Sequence, residues 1–175
     1  MLNDDALDAL IQRLGDIPHI RRLRIHTRLP VVIPSRVTEA LCDLLAAARP
    51  AVLVVIHANH PRELGLEAQT SLLRMHRAGL RILNQSVLLQ GVNDRAETLQ
   101  ALSVRLFDCG TLPYYLHQLD PVQGASHFEV PDGHALELVE TLRRELPGYL
   151  VPRLVREMAG AESKIPLVAI GSRSI

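Results

Sequence analysis

Hydrophobic positions along the chain alternate between two periods. Residues 4–14 (DDALDALIQRL) repeat Leu, Ile and Ala at helical spacing behind Asn3, a good N-cap, and Gly15 ends the run. RRLRI (21–25) then reads as a strand, 35–50 as a helix capped by Ser35 and stopped before Pro50, and AVLVVIH (51–57) as a fully buried strand. The same alternation gives a helix over 66–79, a strand over 80–85, a helix over 94–110 and a strand over 111–117. A helix over 132–146 and an extended piece over 149–155 follow, before a tail rich in Gly, Ser and Pro. Short β-branched strands alternating with amphipathic helices imply a parallel sheet with right-handed crossovers. Units of roughly 30 residues suit a barrel, and no G-x-G-x-x-G follows a strand to support a dinucleotide fold. Four strands are too few to close eight, so the expectation is a single domain over 1–175. Its fold class is α/β, a partial (β/α) barrel: an open half-barrel of parallel strands with outer helices.

The strands end in IHTR (25–28), IHANHP (56–61), LNQS (83–86) and YLHQLD (115–120). In a barrel all four ends face one mouth. One histidine there is commonly a hydrogen-bonded structural residue. Gathering His26, His57, His60, Gln85, His117 and Asp120 in one place carries a desolvation cost that folding does not require, which points to function. His26, His57, His60, His117 and Asp120 admit a metal site, and with it a barrel hydrolase using metal-activated water, although no H-x-H pair is present. Lys164, in AGAESKIPL (159–167), is either solvated or a Schiff-base lysine.

Composition narrows the partners. Hydrophobic residues make up 47% of the 175, with 3% aromatics and no Trp, so the core must be Leu, Val, Ile and Ala. Nineteen basic residues balance nineteen acidic ones, which gives no electrostatic reason for a nucleic-acid or membrane partner. Cys42 and Cys109 lack metal-ligand spacing and read as buried thiols; with no signal-like start, the expected setting is the reducing cytoplasm.

The blocks RLRIHTRLPVVIPSRVT, HANHPRE, ILNQSVLLQGVND, PYYLHQLDPVQGASHF and GYLVPRLVREMAGAESKIPL resemble, in order, the C-terminal half of the lysine 2,3-aminomutase family. HQLD and ESKIPL favour the branch that isomerises L-lysine to (R)-β-lysine for modification of elongation factor P. The resemblance implies a radical S-adenosylmethionine isomerase that also carries pyridoxal 5′-phosphate and a 4Fe–4S cluster, and that shifts an amino group between adjacent carbons. It makes Lys164 the pyridoxal lysine, within a C-terminal segment over 149–175. Asp120 becomes the carboxylate for a substrate amino group, and His57 and Gln85 become contacts to S-adenosylmethionine. Two positions depart from the family. Glu157 stands where catabolic members have a second Asp for the substrate amine, and His117 stands where Tyr is frequent, which leaves its role open, like those of Thr27 and Arg28.

The family's cluster motif C-x-x-x-C-x-x-C lies upstream of the matched region, and this sequence has only two cysteines. The expectation is that Met1 is an internal methionine and the chain a truncated product, inactive alone. A non-catalytic half-barrel serving as a binding module is the alternative. Either way, the first strand would present an uncovered edge, so a homo-oligomer is expected.

Overall fold

The computed structural model describes residues 2–121 and 123–168. Six strands form one sheet in sequence order: β1 (Arg22–His26), β2 (Ala51–Ile56), β3 (Arg81–Val87), β4 (Thr111–His117), β5 (Arg153–Arg156) and β6 (Ile165–Pro166). The first five are parallel, and β6 turns back antiparallel on β5. The helices are α1 (Asp4–Gly15), α2 (Leu29–Val32), α3 (Glu39–Ala47), α4 (Leu66–Arg77), α5 (Ala96–Asp108) and α6 (Asp132–Glu145). This is the open half-barrel that the alternation implied, with the antiparallel β6 added to the expected parallel set.

Alternation within the strands sorts their side chains. Val52, Val54 and Ile56 of β2 and Ile82 of β3 join Leu41, Leu45, Leu72, Met75 and Leu106 in a core between the sheet and the helices. A second core sets Leu116 and Leu154 against Leu99, Leu138 and Leu142. Ile56, Leu72, Leu116 and Leu142 are all fully buried, and each contributes about 1.5–3 kcal/mol of apolar transfer energy. The intervening strand residues face the concave side. Both Cys42 and Cys109 lie in the first core, as the sequence implied.

Three boundaries differ from the expectation. The helix over 35–50 is broken: Pro34–Arg36 form a 3-10 turn, Val37 plugs the core, and α3 starts only after Thr38, whose hydroxyl accepts the Leu41 N–H at 3.1 Å. Ser35 is therefore not the cap. The piece over 149–155 is a 3-10 turn (Gly148–Leu150) before β5. In β4 the register slips opposite Asn84/Gln85, so that Tyr114 is the extra residue of a bulge and Tyr115 pairs with Gln85. Among the described residues, no helix is long and apolar enough to cross a membrane.

A candidate active site at the carboxyl ends of the strands

The loops after β2 and β3 are locked by amide side chains. Asn84, 1% exposed, accepts the Ala58 N–H (2.9 Å) through Oδ1, while its Nδ2 donates to the Ala58 carbonyl (3.0 Å) and the Ser86 hydroxyl (2.9 Å). Ser86 in turn donates to the Ala58 carbonyl at 2.9 Å. One residue along, Asn59 accepts the Val87 N–H, and Asn93 donates to both the Asn59 and the Val87 carbonyls. A buried network with every member satisfied is rigid, and this one holds His57 and Gln85 on either side of it. The Nε2 of His57 is buried and has no partner among the described residues. Burial pushes its pKa down, and the Arg28 guanidinium adds to that effect. The Gln85 side chain makes no hydrogen bond among the described residues.

The β4 and β5 ends carry the charged half of the mouth. His117, 9% exposed, also holds an unpartnered buried Nε2, while its Nδ1 lies 3.7 Å from the Glu157 carboxylate. Glu157 pairs with Lys164, whose ammonium sits 5.5 Å above the Tyr115 ring. Burial lowers the His117 pKa, and Lys164 lowers it further; Glu157 and Asp120 pull the other way, and His57 is near enough to be felt. Glu157 is held below the usual carboxylate range by the Lys164 hydrogen bond. Asp120 and Glu157 line a cleft of about 1020 Å³ with Arg156 and Met158. Below the cleft, buried Gln118 donates to Asp132 at 2.8 Å, and Asp132 pairs with Arg156, tying β4, α6 and β5 together.

Lys164, Glu157, His117, Asp120 and His57 therefore converge, with Gln85 on the strand between. His60 does not join them. It caps the 3-10 turn Pro61–Glu63, accepting the Arg62 N–H at 3.1 Å, while Glu63 closes the reciprocal half by accepting the His60 N–H. Arg28 pairs with Glu63 at 3.6 Å, and Thr27 accepts the Leu29 N–H, so both organise the turn after β1. His26 is exposed. Among the described residues no three His, Cys, Asp or Glu side chains form a group that could hold a metal ion. Sequence reading missed the amides Asn84, Asn59, Asn93 and Gln118. Their signal was polar residues within apolar runs, which a search for ionisable groups passes over.

No protein-family model matches the sequence. The chain is 50% identical over 167 residues to L-lysine 2,3-aminomutase of Escherichia coli, and 51% identical over 164 residues to that of Haemophilus influenzae. These matches cover 95% and 94% of this chain but 49% and 48% of the relatives, so the chain spans about half the length of the curated relatives it matches. A radical SAM methyltransferase from Sphaerobacter thermophilus shares the fold at TM-score 0.65 and 19% identity, over 90% of this chain and 48% of that one. In sequence, then, the chain is similar to the L-lysine 2,3-aminomutases over about half of their length.

Proposed function

We propose that the chain is the C-terminal half of a lysine 2,3-aminomutase-type enzyme, acting on L-lysine to give (R)-β-lysine for modification of elongation factor P. In this reading Lys164 is the pyridoxal lysine, Asp120 and Glu157 receive the substrate ammonium, and His57 and Gln85 contact S-adenosylmethionine. The observation that carries it is the convergence of Lys164, Glu157 and His117, with the buried Nε2 atoms of His117 and His57 left without a partner among the described residues. Orphaned buried polar atoms are the mark of a site shaped for a ligand. The residues fit an aldehyde cofactor: Lys164 is the single lysine of the sequence, is partly buried, and has an aromatic face beneath it. They do not fit the iron–sulfur cluster, because both cysteines are buried in the core behind the sheet.

Pyridoxal phosphate, when bound, supplies the conjugated system on which an amino group can migrate. The chain's own residues handle the charge. An amine attacks an aldehyde only when neutral, and Glu157 is the acceptor already in contact with the Lys164 ammonium. His117, neutral near pH 7 because burial lowers its pKa, is the next base along, through its Nδ1. Once Lys164 is uncharged and its proton has passed from Glu157 through His117 to solvent, Glu157 and Asp120 together present two carboxylates to an incoming ammonium group. Such charge-assisted contacts in a partly closed cleft are among the stronger ones available to a protein.

Two measurements test this. Incubation with pyridoxal phosphate and borohydride should label Lys164; label confined to the N-terminal amine refutes the cofactor role. A chimera carrying residues 21–168 in place of the matching segment of the Escherichia coli relative should form (R)-β-lysine, and Asp120→Asn within it should abolish turnover. A folded chimera without activity, or an active Asp120→Asn variant, refutes the proposal.

A further inference from the structure

Three buried side-chain atoms lack a hydrogen-bond partner among the described residues: Nε2 of His57, Nε2 of His117 and Oγ1 of Thr111. Thr111 begins β4, at the far end of the strand from the mouth, whereas His117 ends it. The His117 backbone is paired on both sides, with Val87 of β3 and Val155 of β5. Its ring stands edge-on to Tyr115, with centroids 5.6 Å apart and planes at 73°, and Lys164 lies over that same Tyr115 ring. A buried ring anchored in the middle of a sheet has little room to turn toward water. Its Nε2 is therefore met by something bound, or stays unmet at the cost of a lost hydrogen bond.

The position of the imidazole proton decides what that something is. At 3.7 Å, Nδ1 stands just outside hydrogen-bond reach of the Glu157 oxygen that Lys164 already occupies. As the next base after Glu157, Nδ1 carries the lone pair; the single proton of the neutral ring is then on Nε2, and the unmet atom is a donor. It calls for an acceptor that arrives beside Lys164, because Lys164, Glu157 and Asp120, with the neighbouring His57, are the groups whose charge acts on this imidazole. His57 is acted on instead by Arg28 and Glu63. An aromatic aldehyde of the pyridoxal class meets the requirement: its ring hydroxyl is ortho to the aldehyde, so that oxygen comes in next to the lysine nitrogen that condenses with the carbonyl. We infer that Nε2–H of His117 donates a hydrogen bond to this ring oxygen, which makes His117 a cofactor-binding residue. The bond keeps the proton on Nε2, so the proton that Nδ1 receives is the one the ring gives up to the open cleft. This inference rests on the proposed function and extends it, since the cofactor itself then sets the tautomer that the proton path needs.

Lys164 is the single lysine of the sequence, so borohydride trapping on the whole chain reads one side chain, resolved from the N-terminal amine by peptide mass spectrometry. The probes are pyridoxal phosphate and its 3-deoxy analogue, which keeps the aldehyde and the phosphate but lacks the ring oxygen. The readout is the concentration of each that half-saturates Lys164, and comparing the two probes cancels any general loosening of the site. His117→Phe should raise the value for pyridoxal phosphate about tenfold or more, as expected for loss of a buried hydrogen bond to a charged oxygen, and leave that for the analogue within about twofold. His117→Gln, whose amide nitrogen reaches the Nε2 position, should recover most of the loss, whereas His117→Asn, which reaches only as far as Nδ1, should behave like His117→Phe. Equal changes for the two probes in the Phe and Asn variants would give His117 a structural role alone and overturn the inference, as would a Gln variant no better than Phe. A parent chain that takes no label at Lys164 overturns the proposed function and this inference with it; a labelled parent with either of the former results overturns this inference alone.

Discussion

Asn84 and Gln85 are chain neighbours with opposite expected fates on substitution. Asn84→Ala removes three side-chain hydrogen bonds, one each to the Ala58 N–H, the Ala58 carbonyl and the Ser86 hydroxyl. The carbonyl keeps Ser86, but the Ala58 N–H, on a residue with 0% exposure, is left without a partner. Lost neutral hydrogen bonds are worth about 0.5–1.5 kcal/mol each, and an orphaned buried donor costs about 1–3 kcal/mol. With the Ala58 N–H counted once, as the orphan, the two other lost bonds and the orphan sum to about 2–6 kcal/mol, a large share of the 5–15 kcal/mol typical of a domain. At about 2–4 °C per kcal/mol for a chain of this size, the melting midpoint should fall by roughly 10 °C. Gln85→Ala removes a side chain with no partner and should stay within about 0.5 kcal/mol of the parent. Urea unfolding followed by circular dichroism at constant m-value reads both. Equal small losses in the two variants would refute the idea that the amide network, rather than apolar packing alone, holds the β2 and β3 ends.

Glycine substitution separates two penalties: Gly79→Ala, at φ +85° with open space around it, should lose only about 1–2 kcal/mol of backbone strain. Gly110→Ala, at φ +72° with its new Cβ driven into the His76 ring, should lose clearly more in the same unfolding assay. Asp132 has its pKa lowered chiefly by the Arg156 hydrogen bond, so the pair's stability is fully present above the unfolded-state value of about 3.9 and is lost as pH falls through the folded value. The stability gap between parent and Arg156→Ala should therefore be at most about 1 kcal/mol at neutral pH, since the pair is partly exposed, and should close on acidification. Burial raises the pKa of Cys42 and of Cys109, so neither should react with an alkylating reagent in the folded chain at pH 8, and both should react in denaturant.

Much of this architecture was legible in the order of the residues. Val52, Val54 and Ile56 reveal a buried strand because burial on one face needs every second side chain apolar, and the helices between strands leave only parallel crossovers. The strand ends were legible for the same reason: His57, Gln85 and His117 interrupt apolar runs just where a barrel opens. Where Ser35 was read as a cap, local chemistry lost to packing, because Val37 had to enter the core and the helix could begin only at Thr38. His57 and His60 look alike in HANH, yet one buries a ring nitrogen with no partner among the described residues while the other caps a turn, a difference set by three residues of backbone path. Glu157 and Lys164 lie seven residues apart on different strands' flanks, and only the reversal from β5 into β6 makes them partners. The strand arginines are the sharpest case. Each is an ordinary polar position in a strand, and only the register of β1, β2 and β3 sets Arg22, Arg24 and Arg81 together on one face, because charge balance over a whole chain says nothing about charge balance over one surface.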